Sequence, residues 1–266
     1  MSNNYFDNKI ILITGASSGI GRALSLELAA PNVHLFIASR NMEALQHVKQ
    51  QCINKGAMCT VFFVDVCDTA SIFNMVEAVK SKTTVIDVLV NNAGISQRSL
   101  AAETQMQVDR MVMETNYFST VLLTKSLWPL LLQSKQGQVV LMSSLTGTFG
   151  FPLRSAYAAA KHAVEGFFES WELENKSKVS FSIIAPGRVQ TNISYSALTA
   201  QGNVHGKLDA GQANGISAQR CAQKIIKAII NKNHKVYIVS NERLLLFANW
   251  LSKPLFRFLV KKLNLT

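Results

Sequence analysis

The chain has 266 residues, of which 48% are apolar and 16% charged, so its length and composition suit one large globular domain with a well-buried core. Its four cysteines (Cys52, Cys59, Cys67 and Cys221) form no CxxC pair and have no histidine partners at metal-ligand spacing, which argues against a disulfide scaffold or a metal site and favours a reduced, cytoplasmic protein. The formal net charge of +11 is concentrated in residues 220–266, where ten residues are basic and one is acidic, so the rest of the chain is nearly neutral.

Apolar runs and segments of helical period alternate along the chain. Strands are predicted at residues 9–14, 33–39, 58–64, 86–90, 138–142, 179–184 and 235–239, and helices at 19–29, 42–53, 71–80, 105–133 (with interruptions), 156–175 and 217–230. This alternation predicts a single-domain, Rossmann-like α/β fold, a doubly wound parallel sheet with helices on both faces. We assign residues 1–240 to that domain and expect its ligand beyond the carboxyl ends of the strands.

The first predicted strand ends in a glycine-rich turn that contains Gly15, Gly19 and Gly21. Glycines there let the backbone turn tightly and approach a pyrophosphate, whose charge then lies at a helix amino terminus. The hydroxyl groups of Ser17 and Ser18 can add donors to such a site. The alternative is a glycine-rich turn that binds nothing.

The second predicted strand ends at Ser39 and Arg40, and no acidic residue occurs before Glu43. An acidic residue at this place would hold a free ribose 2′-hydroxyl, whereas an arginine binds a 2′-phosphate. We therefore predict NADP(H) as the cofactor, with Arg22 as a second positive charge. The alternative is that Arg40 is a solvated residue at the start of a loop.

Tyr157 and Lys161 are four residues apart in a predicted helix, so their side chains lie on one face. A free phenol has a pKa of about 10, and we expect the Lys161 ammonium to lower it toward neutrality. Tyr157 could then act as a general acid that protonates a carbonyl oxygen while a nicotinamide delivers hydride. The alternative is an amphipathic surface pair.

Taken in order, these motifs resemble those of the short-chain dehydrogenase/reductase family. The matches are TGxxxGxG at 14–21, NNAG at 91–94, an active-site asparagine at Asn116, a catalytic serine at Ser144, YxxxK at Tyr157 and Lys161, and PG followed by threonine at Pro186, Gly187 and Thr191. Ser143 competes with Ser144 for the catalytic role, but Ser144 has the family's usual offset from Tyr157. Ser144 would hydrogen-bond the substrate oxygen.

The resemblance implies further contacts with the cofactor. Besides Gly15, Ser17, Ser18, Gly19, Gly21, Ser39 and Arg40, the implied cofactor-binding residues are Ile20, Asp65, Val66, Asn92, Ala93, Gly94, Tyr157, Lys161, Pro186, Gly187, Val189 and Thr191. Asp65 and Val66 would hold the adenine, Lys161 the nicotinamide ribose, and Asn116 a water of the proton relay. The resemblance also implies a homodimer or homotetramer.

Residues 191–215 are polar and glycine-dotted, and the resemblance makes them the substrate loop, a mobile cover. Their apolar members, namely Ile193, Tyr195, Leu198, Val204 and Leu208, favour a lipophilic carbonyl or alcohol substrate, although packing on the domain explains them equally well.

Residues 241–266 form a basic, amphipathic C-terminal extension in which Pro254 suits the first turn of a second helix. Lys253, Arg257 and Lys261 recur on one side of that helix, and Leu255, Phe256, Leu259 and Leu263 lie largely opposite. The pattern is typical of a membrane-surface helix, but packing on the domain or on a second copy fits it too.

Other classes of function are less compatible with the sequence. Aromatic residues of the extension lie among aliphatic ones, which argues against nucleic-acid binding. The chain starts without a secretory signal pattern and has no run of about 18 apolar residues. Two functions remain: an NADP(H)-dependent oxidoreductase of a carbonyl or secondary alcohol, and a cofactor-binding redox sensor or scaffold without relevant turnover.

Overall fold

The computed structural model describes residues 5–262. Its strands are β1 (Ile10–Thr14), β2 (His34–Ser39), β3 (Met58–Phe63), β4 (Val88–Asn91), β5 (Gln138–Met142), β6 (Ser180–Pro186), β7 (Val189–Gln190), β8 (Ile216–Ser217) and β9 (Lys235–Ile238). Its α-helices are α1 (Gly19–Leu28), α2 (Met42–Ile53), α3 (Thr69–Lys80), α4 (Met106–Met113), α5 (Ser119–Gln133), α6 (Ser155–Glu174), α7 (Ala210–Ala213), α8 (Ala218–Ile230), α9 (Arg243–Leu251) and α10 (Lys253–Lys262).

Seven strands form one sheet in the order β3-β2-β1-β4-β5-β6-β9, and all neighbours are parallel. The strand order reverses between β1 and β4, which creates a crevice at the carboxyl edge of the sheet. The predicted fold class, a doubly wound α/β sheet, is confirmed.

Helices cover both faces of the sheet and enclose one apolar core on each. Leu24 of α1, Leu45 of α2 and Ile225 of α8 belong to the first core. Ile72 of α3 and Phe168 of α6 belong to the second. Strands buried on both faces read as continuous apolar runs, which is why their positions were predictable from the sequence.

The predicted helix over 105–133 is interrupted by a π-helical turn at Glu114–Phe118, between α4 and α5. Such turns insert an extra residue into a helix and are frequent at functional sites. Here the turn carries Asn116.

The base of the 191–215 loop is closed by a small parallel sheet that the sequence did not predict. Val189 pairs with Ile216 and Gln190 with Ser217. Two-residue strands are too short to show a period, so no pattern could reveal them.

The C-terminal extension packs on the domain through α9 and α10. Ala248, Phe256 and Val260 are buried against Leu145 and Phe149. Residues 263–266, and with them the predicted position of Leu263, lie outside the described residues. None of the helices within residues 5–262 is long and apolar enough to cross a membrane.

Candidate active site

The glycine-rich turn after β1 interlocks with the turn after β4. Gly15 has φ +64°, and a Cβ there would come within 3.0 Å of Ala93. A Cβ on Gly21 would come within 2.5 Å of the Asn92 amide nitrogen. Both positions therefore exclude a side chain, and the turn keeps bare backbone at the crevice, as close approach to a pyrophosphate requires.

Thr14 connects the two motifs, a role that the sequence reasoning missed. Its Oγ1 accepts hydrogen bonds from the backbone N–H of Asn92 (3.0 Å) and of Ala93 (3.1 Å). The Asn92 side chain in turn donates to the carbonyls of Thr14 (2.9 Å) and Gly15 (3.2 Å). The sequence signal for this role was that Thr14 is the first residue of the TGxxxGxG motif.

The predicted cofactor residues divide into two groups. Those that line the main cavity at the carboxyl edge of the sheet are Ile20, Asn92, Gly94, Tyr157, Lys161, Pro186, Gly187, Val189 and Thr191. The others lie outside that cavity, at or just after the carboxyl ends of β1 to β4, including the start of α1: Gly15, Ser17, Ser18, Gly19, Gly21, Ser39, Arg40, Asp65, Val66 and Ala93. The two groups together follow one edge of the sheet.

Arg40 lies at the far end of this edge, where its side chain is 66% exposed. Its Nη1 is 4.0 Å from Oδ2 of Asp65, which is too long for a hydrogen bond. Arg22 does not join it as predicted, because Arg22 donates to Gln51 near the other end of α2 (3.1 Å). Arg40 is therefore the cation that the structure leaves available at the end of β2.

Ser143 and Ser144 follow β5, and their hydroxyl groups have different partners. Ser143 is buried and donates to Oε1 of Glu165 (2.5 Å). Ser144 accepts from the N–H of Thr146 (3.3 Å), and its hydroxyl favours a lower pKa of the Tyr157 phenol. Both serines line the cavity, but the Ser143 hydroxyl is engaged by Glu165, which favours Ser144 as the serine that would meet a substrate oxygen.

Tyr157 lies in the first turn of α6 and is 8% exposed. Burial raises the pKa of its phenol, and a hydrogen bond with Ser144 and the charges of Arg154 and Arg98 lower it only partly. The expectation that Lys161 lowers this pKa was wrong. The physical reason is that desolvation of the phenol outweighs all nearby charges, and the cations that act on it are two arginines.

Lys161 belongs to a buried polar network instead. Its Nζ lies 5.6 Å from the Tyr157 ring centroid and donates to the Met142 carbonyl (2.7 Å). Burial lowers the pKa of Lys161 to about 8, although the Glu165 carboxylate raises it. Glu165 also accepts from Lys235 (2.7 Å). The sequence reasoning missed Glu165, whose signal was its position one helical turn after Lys161.

Asn116 is held by its amide nitrogen, which donates to the carbonyls of Ile95 (3.0 Å) and Val112 (2.8 Å). Its Oδ1 is buried and accepts nothing from the described residues. A Cβ on Gly94 would lie 2.6 Å from that oxygen and 3.7 Å from Lys161 Nζ. The absent side chain of Gly94 thus leaves space between an unsatisfied acceptor and an ammonium, which suits a water of a proton relay.

The apolar wall of the cavity differs from the one predicted. Of the five apolar residues in the 191–215 loop, only Ile193 lines the cavity, whereas Tyr195, Val204 and Leu208 are exposed and Leu198 packs beside Tyr157. The wall is built instead from Leu145, Phe149, Phe151 and, from α9, Leu245. Apolar residues in an irregular segment have no period that shows which way they face.

The loop itself is tied to the segment after β4. The backbone N–H of Arg98 donates to the Leu198 carbonyl (2.8 Å), and the backbone N–H of Leu198 donates to the Ser96 carbonyl (2.9 Å). These bonds hold the loop beside the cavity, which Ile193, Asp209 and Gln212 of the loop line. The predicted mobility of the loop stays a prediction.

Glu242, the acidic residue of the basic tail, also lines the cavity. Its carboxylate accepts from the backbone N–H groups of Arg188 (3.1 Å) and Ser240 (3.0 Å). Burial alone would raise the pKa of Glu242, but hydrogen bonds from backbone amides outweigh that effect and lower it. This residue ties the start of the tail to the turn after β6. The signal in the sequence was that Glu242 is the one acidic residue of 220–266, where ten residues are basic.

No group of histidine, cysteine, aspartate and glutamate side chains suited to a metal ion occurs in the described part of the chain.

Comparisons with known proteins agree with the fold and with the order of the motifs. A sequence profile described as short chain dehydrogenase matches residues 9–202. The Bos taurus protein "Dehydrogenase/reductase SDR family member 7B" is 38% identical over 242 residues, which are 88% of this chain and 74% of that protein. The Anopheles gambiae protein "Dehydrogenase/reductase SDR family protein 7-like" is 37% identical over 240 residues, 88% and 76% of the two chains.

Two solved structures share the architecture. One is a short chain dehydrogenase/reductase from Burkholderia phymatum in complex with NAD, with a TM-score of 0.80 at 23% identity over 92% of this chain and 95% of that one. The other is an alcohol dehydrogenase from the archaeon Thermococcus sibiricus complexed with 5-hydroxy-NADP, with a TM-score of 0.76 at 20% identity over 86% and 95%. At these identities the likeness shows the fold alone. With the profile and the closer relatives, the chain belongs to the short-chain dehydrogenase/reductase family of oxidoreductases, which bind nicotinamide cofactors.

Proposed function

We propose that the protein is an NADP(H)-dependent oxidoreductase that interconverts a carbonyl and a secondary alcohol on a lipophilic substrate. The observation that carries the proposal is the Tyr157 phenol, which is buried on the wall of a cavity that Ser144 also lines. Lys161 and Asn116 line the same cavity. These four residues are the proposed catalytic set.

In the reduction direction Tyr157 acts as the proton donor. Because burial raises its pKa, the phenol is protonated at neutral pH, which is the form that a general acid needs. Ser144 hydrogen-bonds the same carbonyl oxygen and stabilises the negative charge that develops there. Asn116 Oδ1 and Lys161 hold the water through which the proton of Tyr157 is replaced.

The cofactor, when bound, supplies or accepts the hydride. The bare backbone of the glycine-rich turn fits its pyrophosphate, and the unsatisfied Oδ1 of Asn116 fits a relay beside its ribose. The residues that would hold it are Gly15, Ser17, Ser18, Gly19, Ile20, Gly21, Ser39, Arg40, Asp65, Val66, Asn92, Ala93, Gly94, Tyr157, Lys161, Pro186, Gly187, Val189 and Thr191.

The preference for NADP(H) depends on Arg40. This guanidinium is exposed and is paired only loosely with Asp65, 4.0 Å away and without a hydrogen bond, so it can bind a 2′-phosphate through two donors. Arg40→Asp is expected to lower kcat/KM for NADPH at least tenfold and to leave that for NADH within about threefold, since a charge-assisted hydrogen bond contributes about 1.5–3 kcal/mol. Arg220→Asp, an equal charge change at an exposed residue of α8, is the control. A wild-type preference for NADH would contradict the proposal.

Turnover is tested with a panel of ketones and secondary alcohols, by the absorbance of reduced nicotinamide. Tyr157→Phe is expected to abolish turnover and to retain cofactor binding. If the wild-type protein binds the cofactor tightly but turns over no member of the panel, the chain is a redox sensor or scaffold instead.

The lipophilic character of the substrate is supported by the wall of Leu145, Phe149, Phe151 and Leu245. Each CH₂ group buried there contributes about 0.8 kcal/mol. Within a series of methyl ketones of increasing chain length, kcat/KM should therefore rise about three- to fourfold per carbon until the wall is covered. A flat series would contradict the proposed wall.

We further propose that the protein is cytoplasmic and associates peripherally with anionic membranes through α9 and α10. Their outer face exposes Leu244 (73%), Phe247 (58%), Trp250 (79%) and Leu251 (58%). The exposed cations Arg243, Lys253, Arg257 and Lys261 flank these side chains, and each can contribute about 1 kcal/mol near anionic lipid. The inner face of the extension packs on the domain. Packing on the domain and contact of the outer face with a membrane are therefore compatible.

Cosedimentation with phosphatidylserine vesicles tests the lipid contact. The double variant Phe247→Asp and Trp250→Asp should lose binding, whereas Leu173→Asp, a change at a 90% exposed position of α6, should retain it. If the tail variant instead loses only self-association, the occupant of the face is a second copy. The expected homodimer or homotetramer stays a prediction, for which light scattering at several concentrations is the measurement.

A further inference from the structure

Two arginines and one aspartate form a charged cluster on the wall of the active-site cavity. Oδ2 of Asp209 accepts from Nη2 of Arg98 (2.5 Å) and from Nη2 of Arg154 (2.9 Å). The side chains of Arg98 and Arg154 are 6% and 21% exposed. Two guanidinium groups thus share a single carboxylate, and the cluster retains a net positive charge in a largely buried place.

The two arginines differ in how many of their donors are used. Arg98 donates from Nε and Nη2 to Asp209, and from Nη1 to Ser96 Oγ (2.8 Å) and the Gln97 carbonyl (2.7 Å). Arg154 donates only through Nη2 among the described residues. A guanidinium has five N–H donors, so Arg154 brings unused donors to the cavity that it lines.

The charge of Arg154 is incompletely balanced. Burial and the like charge of Arg98 lower the pKa of Arg154 to about 10, although Asp209 raises it. An isolated buried cation is costly, and a second anion would relieve that cost. Arg154, Arg98 and Tyr157 line the same cavity, and the charges of the two arginines favour a lower pKa of the Tyr157 phenol.

The backbone that carries Arg154 is unusual as well. Leu153 has φ +62°, a left-handed conformation that a branched residue adopts at a cost of about 1–3 kcal/mol. The N–H of Ser99 donates to the Leu153 carbonyl (3.3 Å) and helps to hold it. The Arg154 guanidinium lies 5.1 Å from the Phe151 ring. The strained residue thus precedes a cation held beside the apolar wall.

We propose that Arg154, supported by Arg98, binds an anionic group of the substrate, a carboxylate or a phosphate monoester, while the hydrocarbon part contacts Leu145 and Phe149. This inference rests on the proposed oxidoreductase function and makes the substrate an anionic, lipophilic ketone or alcohol. Asp209 of the 191–215 loop holds the arginines in place and leaves a positive charge for the ligand. The anionic group is not altered in the reaction; it orients the carbonyl toward Tyr157.

Pairs of ketones that differ only in charge test the proposal. One arm compares keto acids of several chain lengths with their methyl esters, and the other compares hydroxyketone phosphate monoesters with the free hydroxyketones. For at least one chain length in one arm, the wild-type kcat/KM should be tenfold to 10²-fold higher for the anionic member, as expected for a hydrogen bond to a charged group. The arm that shows the difference identifies the anion.

Arg154→Met should lower the preference of kcat/KM for the anionic member at least tenfold, mainly through KM. Because Arg154 also acts on the Tyr157 phenol, kcat/KM for the neutral member should fall too, but by a smaller factor. Arg154→Lys keeps the positive charge but cannot donate two parallel hydrogen bonds to one anion, so it should retain part of the preference. Arg110→Met, a change at an exposed residue of α4, is the control and should leave both members unchanged. Equal losses for charged and neutral members, or no wild-type preference in either arm, would overturn the anion site.

Calorimetric binding of the same ketones to the NADP⁺-loaded protein separates this inference from the proposed function. If no ketone is turned over but the wild type binds the anionic members and Arg154→Met does not, the anion site stands and the oxidoreductase proposal fails. If wild type and Arg154→Met bind them equally, the anion site fails. The unfolding midpoint of each variant shows that the comparison is made on folded protein.

Discussion

Glu165→Gln should separate the structural and electrostatic roles of the carboxylate beneath the proposed catalytic residues. Glu165 is 5% exposed and accepts from Ser143 (2.5 Å) and Lys235 (2.7 Å). The substitution keeps the shape of the side chain and the bond with Ser143, but it leaves the Lys235 ammonium without its buried partner. Breaking a buried ion pair in this way costs about 3–5 kcal/mol.

The pairing with Lys235 also provides a matched control. Glu169 lies on the same helix, 3.8 Å from the same ammonium, but its side chain is 45% exposed. Exposed ion pairs contribute about 0–1 kcal/mol. We therefore expect Glu165→Gln to lower the free energy of unfolding in urea by about 3 kcal/mol and Glu169→Gln by less than about 1 kcal/mol. Equal losses would refute the assignment of Glu165 as the buried partner.

The electrostatic role appears in the pH dependence of the reaction. Burial lowers the pKa of Lys161 to about 8, and the charge of Glu165 opposes that effect. Lys161 is therefore protonated below about pH 8 and loses its proton as the pH rises through that value. If the relay needs the ammonium, kcat/KM for carbonyl reduction by the wild type should fall above about pH 8, because this parameter reports groups of the free enzyme.

Without the Glu165 carboxylate the pKa of Lys161 should fall further, so the alkaline limb should move to lower pH in Glu165→Gln. The measurement is kcat/KM for the wild type and both variants from about pH 5.5 to about pH 10, a range that includes the alkaline limb. Glu169→Gln should leave the limb in place. A limb that stays in place in Glu165→Gln, despite the lost stability, would show that the carboxylate acts only in folding.

Three further tests, which use five substitutions, have defined outcomes. Ser144→Ala should lower kcat/KM roughly 10²- to 10³-fold, as does the loss of one donor to a developing oxyanion, whereas Ser143→Ala should mainly lower the unfolding midpoint; the reverse order would exchange their roles. Gly94→Ala places a Cβ 2.6 Å from Asn116 Oδ1 and should reduce kcat by about tenfold or more, with Gly150→Ala, which meets nothing within 4 Å, as the control. Gly166→Ala, in the middle of α6 with open space around it, should raise the free energy of unfolding by about 0.5–1 kcal/mol; a loss of stability would contradict the open space.

Much of the fold could be predicted because its signals are local. Strands buried on both faces are continuous apolar runs, and β5 matches its predicted bounds at both ends. The helices between them have apolar residues at helical spacing, as in α2, which also matches. Because parallel strands place their carboxyl ends at one edge, motifs that follow those strands were expected to converge, and nine of the predicted cofactor residues line one cavity.

The parts that could not be predicted depend on contacts between distant residues. The small sheet of β7 and β8 and the inward or outward direction of the loop side chains have no local period. The extension showed an amphipathic pattern, but not that Phe256 packs on Phe149 while Trp250 stays exposed. A helical pattern identifies the apolar face without naming the surface that covers it.

The sequence by itself determined the order of the seven strands of the main sheet, the family, and the groups that we propose carry the chemistry, since these follow from residue type and spacing along the chain. Only the tertiary structure decided how those groups are tuned. Burial outweighs charge at Tyr157, and Glu165 supports Lys161. Arg98 meets Asp209 across 111 residues of sequence. Desolvation and Coulomb interactions depend on distances through space, and those distances exist only once the sheet has brought the loops together.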